Sequence, residues 1–204
     1  MTVEEYLFKK KHFEFYILNI SKNNPSYNDI ITVFRDSLAT SFLMDSNEEY
    51  TIILSTIVNN DINQIVNAIV LDFGIKLKVF KSNFIEVKNF NYLDTLKYLY
   101  FKNYKYFNQS FVTVKDLALT ILDKNHKDMK ILKPILLNTV LNDNKMYEIV
   151  NGMFINNLNA CKTADYVYMH RNTVNNKINL LKEETGLDIK SFKDAVILYE
   201  YIKK

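Results

Sequence analysis

Glycine and proline are scarce, three and two in 204 residues. So few chain-reversing residues exclude a turn-rich all-β sandwich and favour helices with a few strands. Cys161 is the single cysteine; it excludes an internal disulfide and a thiolate zinc cluster, and it fits a reducing compartment. His12, His126 and His170 are far apart and show no Cys–His spacing, so no metal site is expected. The three glycines stand alone at 74, 152 and 186, which excludes a glycine-rich phosphate loop. No nucleophile elbow and no nucleophile–base pair is present either, so neither an enzyme nor a cofactor is expected. Long apolar runs are missing. The longest candidate, Ile62 to Ile75, is broken by Asn63, Gln64, Asn67 and Asp72, short of the ~18 apolar residues that mark a membrane span. The first residues carry Glu4 and Glu5 and no apolar segment, so no signal peptide is expected and the cytoplasm is the expected location. The net charge of +3 is too small to point to a polyanion, and any such argument must be local.

What is present is a large apolar fraction, 48%, enough to build a real core. Residues 13–20 are aromatic and β-branched and read as a strand, followed by a turn cluster ending at Pro25. Ile30, Ile31, Phe34 and Leu38 recur at helical spacing. Ser41 to Met44 and Tyr50 to Ser55 read as a hairpin around the polar turn Asp45 to Glu49. Ile62, Ile65, Val66, Ile69 and Val70 form one stripe of a helix starting near Asp61, and Lys76 to Phe80 alternates like a strand. The order strand, helix, strand, strand, helix, strand is the split βαβ, ferredoxin-like arrangement. Thr2 and Glu5 are spaced as a capping box for a short helix before it. From about Asn91 the pattern turns helical. Tyr92 to Leu99 is one candidate, Val112 to Leu122 has a start that reads equally well as extended, and Pro134 suits a first helical turn.

The C-terminal third carries the functional signal. Met146, Ile149, Val150, Met153 and Phe154 make an amphipathic stripe that ends at Asn156 to Asn159. The next stretch has the pattern of two helices joined by a tight turn. Ala164 is small where the first helix must approach the second, and Val167 and Met169 flank the turn. Val174, Ile178 and Leu181 form the buried stripe of a second helix that stops at Thr185-Gly186, where glycine suits the left-handed conformation. Opposite that stripe lie Arg171, Asn172, Asn175, Asn176 and Asn179. A recognition helix needs this division, one face held by the core and the other carrying donors and acceptors for base edges. Between Lys162 and Lys182 four basic residues stand against one acid, Asp165. Ser191 and Asp194 are spaced to cap a last helix, with Phe192, Ala195, Val196, Tyr199 and Ile202 as its expected core stripe.

Thr163-Ala164, the run Tyr168 to Val174, Lys177-Ile178 and Glu184 to Asp188 resemble the C-terminal helix-turn-helix of the PucR/CdaR family of bacterial transcription regulators, over about residues 135–204. That family often has an aromatic residue and an arginine where this chain has Asn176 and Lys177, and lysine lacks the two-pronged geometry of arginine. The resemblance implies double-stranded DNA as partner, with a recognition helix of about residues 170–184 in the major groove. The candidate DNA-binding residues are His170, Arg171, Asn172, Thr173, Asn175, Asn176 and Lys177, with Arg171 and Asn172 foremost and His170 also suited to capping or packing. It also implies a degenerate GGDEF-like domain upstream. Asp45 to Glu49 sits at the hairpin where a diguanylate cyclase carries its glycine signature; no glycine is there, so the backbone cannot approach a phosphate closely and a sensing or dimerising role is implied instead.

The expected organisation is α+β: a sensing or dimerisation domain over 1–90, a helical connector over 91–134 and a helix-turn-helix domain over 135–204. One helix-turn-helix spans few base pairs, so a homodimer is expected, responding to an effector that the sequence leaves unnamed. A plainer reading stands beside each candidate. The polar helix face is also what a solvated surface looks like in an asparagine-rich chain, and an interaction module that keeps the fold without DNA is the alternative function. Cys161 reads first as a small structural residue and second as a redox sensor. The run from Tyr98 to Phe107, with Lys97, Lys102 and Lys105, reads first as a packing or dimer surface and second as a stacking platform for single strands. Glu48 and Glu49 read as a hairpin tip before a metal pair.

Overall fold

The computed structural model describes residues 1–57 and 61–203, which divide into two units, 1–113 and 114–204. The spine of the first is β1 (His12–Asn19), with Phe13 to Leu18 fully buried. A strand buried on both faces must be apolar on both, which is why this segment does not alternate. Before it, α1 (Val3–Leu7) closes the capping box expected at Thr2: the Glu5 N–H donates to Thr2 Oγ1 at 3.2 Å and the Thr2 N–H to Glu5 Oε2 at 2.7 Å. Then follow α2 (Tyr27–Asp36), β2 (Phe42–Ser46), β3 (Thr51–Ser55), α3 (Ile62–Phe73), β4 (Lys78–Lys81), β5 (Ile85–Glu86), α4 (Tyr92–Asn103) and β6 (Phe111–Thr113).

The sheet runs β2-β3-β1-β4-β6, with β5 pairing the start of β1. Each neighbouring pair among β2, β3, β1 and β4 is antiparallel, and β6 lies parallel to β4. The hairpin tip is polar as expected. The Asn47 side-chain oxygen accepts the N–H groups of Glu49 at 2.8 Å and Tyr50 at 2.9 Å, and Glu48 and Glu49 are exposed. Tyr16 and Leu18 point to the face where Ile30, Phe34, Val66 and Ile69 of α2 and α3 pack. Phe15 points the other way, against Phe80, which meets Tyr100 of α4 with ring centres 4.8 Å apart. Tyr100 and Phe107 are therefore core residues, while Tyr98 and Tyr106 stay exposed beneath Lys102 and Lys105. Glu14 is the polar exception on β1. It is buried, accepts the Tyr16 hydroxyl and lies 3.2 Å from the Lys81 ammonium. Burial pushes its carboxyl above the usual range, against the pull of Lys81.

The second unit is helical: α5 (Val114–Lys124), α6 (Met129–Leu136), α7 (Asn138–Asn142), α8 (Asn144–Ile155), α9 (Ala160–Tyr166), α10 (Arg171–Thr185) and α11 (Phe192–Lys203). Its boundary with the first unit falls inside the 91–134 stretch expected as a connector: α4 packs on the sheet, and α5 and α6 pack with α11. Pro134 lies inside α6 rather than at its start. There the helix forgoes the one backbone bond that the missing proline N–H would make, while Met129, Leu132 and Leu136 hold it in the core.

The expected stripe of α11 is corrected. Ala195 is buried as expected, but Phe192 is 80% exposed and Val196 and Tyr199 are also exposed, whereas Asp194, Ile197, Leu198 and Tyr201 are buried. Two polar anchors turn the helix. Asp194 Oδ2 accepts the Asp188 N–H at 3.0 Å and the Lys115 ammonium at 2.7 Å, and the Tyr201 hydroxyl donates to the Ala118 carbonyl at 3.1 Å. Asp194 is thus committed to these partners rather than to a box with Ser191. A hydrophobicity pattern places an aspartate outside, and here the ion pair places it inside.

Candidate nucleic-acid interface

Two caps, one aspartate and one asparagine, set the local geometry. Asp143 precedes α8, and its Oδ1 accepts the N–H groups of Lys145 and Met146 at 2.9 and 3.1 Å. Asn159 does the same for α9, accepting from Cys161 and Lys162 at 3.0 Å each. Such side chains satisfy amide groups that the first helical turn leaves without partners. Between α8 and α9 the chain reverses through Asn157 and Leu158, both with positive φ. Four residues, 167–170, separate α9 from α10.

The helices α8, α9 and α10 pack pairwise. Ala164 and Thr163 are buried at the contact, and Met146, Ile149, Val150 and Met153 fill the core side of α8. Gly152 allows the closest approach. A methyl group there would stand 3.0 Å from Thr163 Cγ2 and 3.3 Å from Tyr166 Cδ1 and Val167 Cγ1. In the sequence Gly152 stands out only as a lone glycine that builds no phosphate loop, and its packing role is missed there. Its signal was its place, in the middle of an amphipathic helix where glycine is otherwise unfavourable.

Val174, Ile178 and Leu181 are buried as expected, and they hold α10 by one side. The opposite side opens with Arg171, Asn172 and Thr173, all exposed, and continues through Asn176 and Asn179, also exposed. The remaining candidates are engaged within the protein. His170 is the N-cap: its Nδ1 accepts the Asn172 N–H at 3.2 Å. Asn175 is half-buried, and its Oδ1 accepts the Lys190 ammonium at 3.1 Å. The Lys177 ammonium donates to Asp143 Oδ2. That bond, together with the amide N–H groups, holds the Asp143 carboxyl below the usual carboxylate range. Asp143 therefore caps α8 with one oxygen and ties α10 to it with the other. Lys182 is likewise paired, with Asp188 at 2.8 Å. At its C-terminal end α10 stops at Gly186, φ +71°.

Cys161 lies exposed in the first turn of α9. Among the described residues no group of three or more His, Cys, Asp or Glu side chains is placed to hold a metal ion, and no helix is long and apolar enough to cross a membrane.

A short helix, a tight turn and a longer helix with one buried and one open side define a helix-turn-helix. Its particular kind emerges from comparison: residues 147–202 match the PucR C-terminal helix-turn-helix domain. The chain is 32% identical over 63 residues to the carbohydrate diacid regulator of Escherichia coli (strain K12). That stretch is 31% of this chain and 16% of the regulator, so the match takes in only a small part of the relative's length. The crystal structure of a regulator of polyketide synthase expression from Bifidobacterium adolescentis overlays 98% of this chain and 82% of its own at 14% identity, with a TM-score of 0.44.

Proposed function

We propose that this chain is a cytoplasmic, sequence-specific DNA-binding transcription regulator that acts as a homodimer and is not an enzyme. One observation carries the reading: α10 is fixed by Val174, Ile178 and Leu181 while Arg171, Asn172, Thr173 and Asn176 stand exposed at its start and along its open side. Helices of this kind present their N-terminal residues to base edges in the major groove. Arg171 and Asn172 come first at the groove. Asn172 and Asn176, one turn apart, share a face from which each amide reaches a base edge, a contact that discriminates by ~1–3 kcal/mol. Thr173 suits a phosphate oxygen. His170, Asn175 and Lys177 act mainly by holding the helix in place, as a cap and two tethers. In a homodimer the two copies of α10 meet half-sites about one DNA turn, roughly 34 Å, apart.

The N-terminal unit is the sensing or dimerising part. Its β2-β3-β1-β4 order with crossover helices α2 and α3 supports a ferredoxin-like, degenerate GGDEF-like module, and the glycine-free hairpin at Asn47 supports a module without nucleotide turnover. The test is selection of duplexes from a random-sequence library by the full chain, followed by titration at several salt concentrations. Arg171→Ala should weaken binding to the selected duplex and lower the salt dependence; an enriched sequence that Arg171→Ala binds as well as wild type removes α10 from the groove. The second reading, an interaction module that keeps the fold without DNA, is favoured by the pairing of Lys177 and Lys182 with acids, and failure to enrich any sequence would remove the first reading in its favour.

A further inference from the structure

Tyr168 is a residue the fold does not explain. It sits in the turn between α9 and α10 with φ +52°, a left-handed conformation that an aromatic L-residue adopts at a cost and that glycine or asparagine adopts easily. Two backbone hydrogen bonds close the turn, Met169 N–H to the Ala164 carbonyl at 2.9 Å and Tyr168 N–H to the Asp165 carbonyl at 3.3 Å. The side chain is 96% exposed, and among the described residues it makes no hydrogen bond or ring contact. A large aromatic residue is thus kept where it adds nothing to the core and where a smaller residue would fit better. Next to it in the chain, the outer side of α9 carries Lys162 and Tyr166 one turn apart, both exposed, Tyr166 by 52%. These three side chains offer two hydroxyls and an ammonium on the element that, in a helix-turn-helix, crosses the sugar–phosphate backbone. Tyrosine and lysine are both ordinary donors to phosphate oxygens.

We propose that Lys162, Tyr166 and Tyr168 form a docking ledge for the sugar–phosphate backbone of duplex DNA, with the Tyr168 hydroxyl donating to a phosphate oxygen beside the half-site. This rests on the reading of α10 as the groove helix and adds to it the element that sets how deep and at what angle that helix enters. Asp165, exposed on the same side of α9, is the opposing group: its carboxylate repels the strand that Lys162 attracts.

The experiment is fluorescence anisotropy with the full chain and a duplex of about 20 base pairs, long enough for two half-sites a turn apart, taken from the wild-type selection. Tyr168→Phe removes one oxygen and should weaken binding roughly ten- to a hundredfold, the span of a hydrogen bond to a charged group, with the salt dependence unchanged because a hydroxyl displaces no counterion. Lys162→Gln should weaken binding and reduce the slope of log affinity against log salt by about one. Asp165→Asn should tighten binding. Tyr168→Gly separates this role from a structural one: it relieves the strained turn, so the melting temperature should hold or rise while DNA affinity falls. If the wild type binds, Arg171→Ala weakens it, and Tyr168→Phe and Tyr168→Gly bind like wild type, the ledge is refuted and the groove helix stands. A fall in melting temperature that accounts for the lost binding refutes it as well. If the wild type enriches no duplex, the groove reading falls and the ledge with it.

Discussion

Replacing Gly152 with alanine sets two effects of opposite sign against each other. In the middle of a helix alanine is favoured over glycine by about 1 kcal/mol, so a site with room would be stabilised. Here the new methyl would meet Thr163 Cγ2 at 3.0 Å, with Tyr166 and Val167 carbons at 3.3 Å. Tyr166 is half-exposed and can swing away. Thr163 is fully buried, and its hydroxyl donates to Met153 Sδ at 3.4 Å, so relief there means moving α9 off α8. Overpacking of this kind costs about 1–3 kcal/mol. Subtracting the helix-propensity gain leaves a net loss of roughly 1 kcal/mol, or about 4–8 °C in melting temperature for a unit of this size. Because α9 carries the turn into α10, DNA affinity should fall in the same variant. Thermal unfolding of the full chain followed by circular dichroism reads the first effect, and anisotropy with the selected duplex reads the second. A melting temperature raised by several degrees would mean that helix propensity wins, and the close approach of α8 and α9 at this glycine would be refuted.

Asp143→Ala removes the α8 cap and the tether to α10 together, and should lower stability by at least the ~1 kcal/mol of a lost cap. The carboxyl is held below its ordinary range by Lys177 and the α8 amides, so its contribution is complete above about pH 4 and is lost as the pH falls through the lowered value. The gap between wild type and Asp143→Ala in urea unfolding should therefore close on acidification, and a gap that widens refutes the ion pair. Lys177→Met should leave the salt dependence of DNA binding unaltered, since Asp143 already neutralises this lysine; a slope reduced by about one would make Lys177 a phosphate contact. Asp194→Ala leaves the Lys115 ammonium and the Asp188 amide without their acceptor. It should cost about 2–3 kcal/mol in urea unfolding, less than a fully buried pair because the Lys115 side chain is 36% exposed; a loss under about 0.5 kcal/mol, the size of a surface pair, would place Asp194 at the solvent.

Much of the fold was legible because it follows from periodicity. Strand β1, the hairpin β2–β3 and helices α2, α3 and α4 lie within a few residues of where apolar spacing puts them, since burial of one face leaves the same period in sequence and in space. Where polar groups decide the outcome, the period misleads. On α11 the ion pair of Asp194 with Lys115 joins residues 79 apart, a separation at which no local pattern exists, and it turns the helix away from Phe192, Val196 and Tyr199. Glu14 is the same case in a strand: its partner Lys81 comes from β4. The extended start of the Val112 segment was ambiguous because three residues of strand, Phe111–Thr113, run directly into α5 and the two periods meet without a break.

The candidate site divides along the same line. The buried half of α10 was legible residue by residue, because Val174, Ile178 and Leu181 obey helical spacing. The polar half was legible only as a face: spacing shows which residues point outward but not which are already engaged. His170, Asn175 and Lys177 point outward and yet are held by the Asn172 amide, Lys190 and Asp143, partners that the sequence spreads over positions 143 to 190. A recognition surface needs both kinds of residue. Long side chains left free would have to be ordered at each encounter, and fixing such a side chain costs about 0.5–1.5 kcal/mol. On the proposed function, a helix already set by a cap at one end, a left-handed glycine at the other and tethers along its flank would meet the groove with that ordering done. The polar residues given over to holding α10 would then leave Arg171, Asn172, Thr173 and Asn176 to read sequence, and the rigidity they confer would let so short a set discriminate.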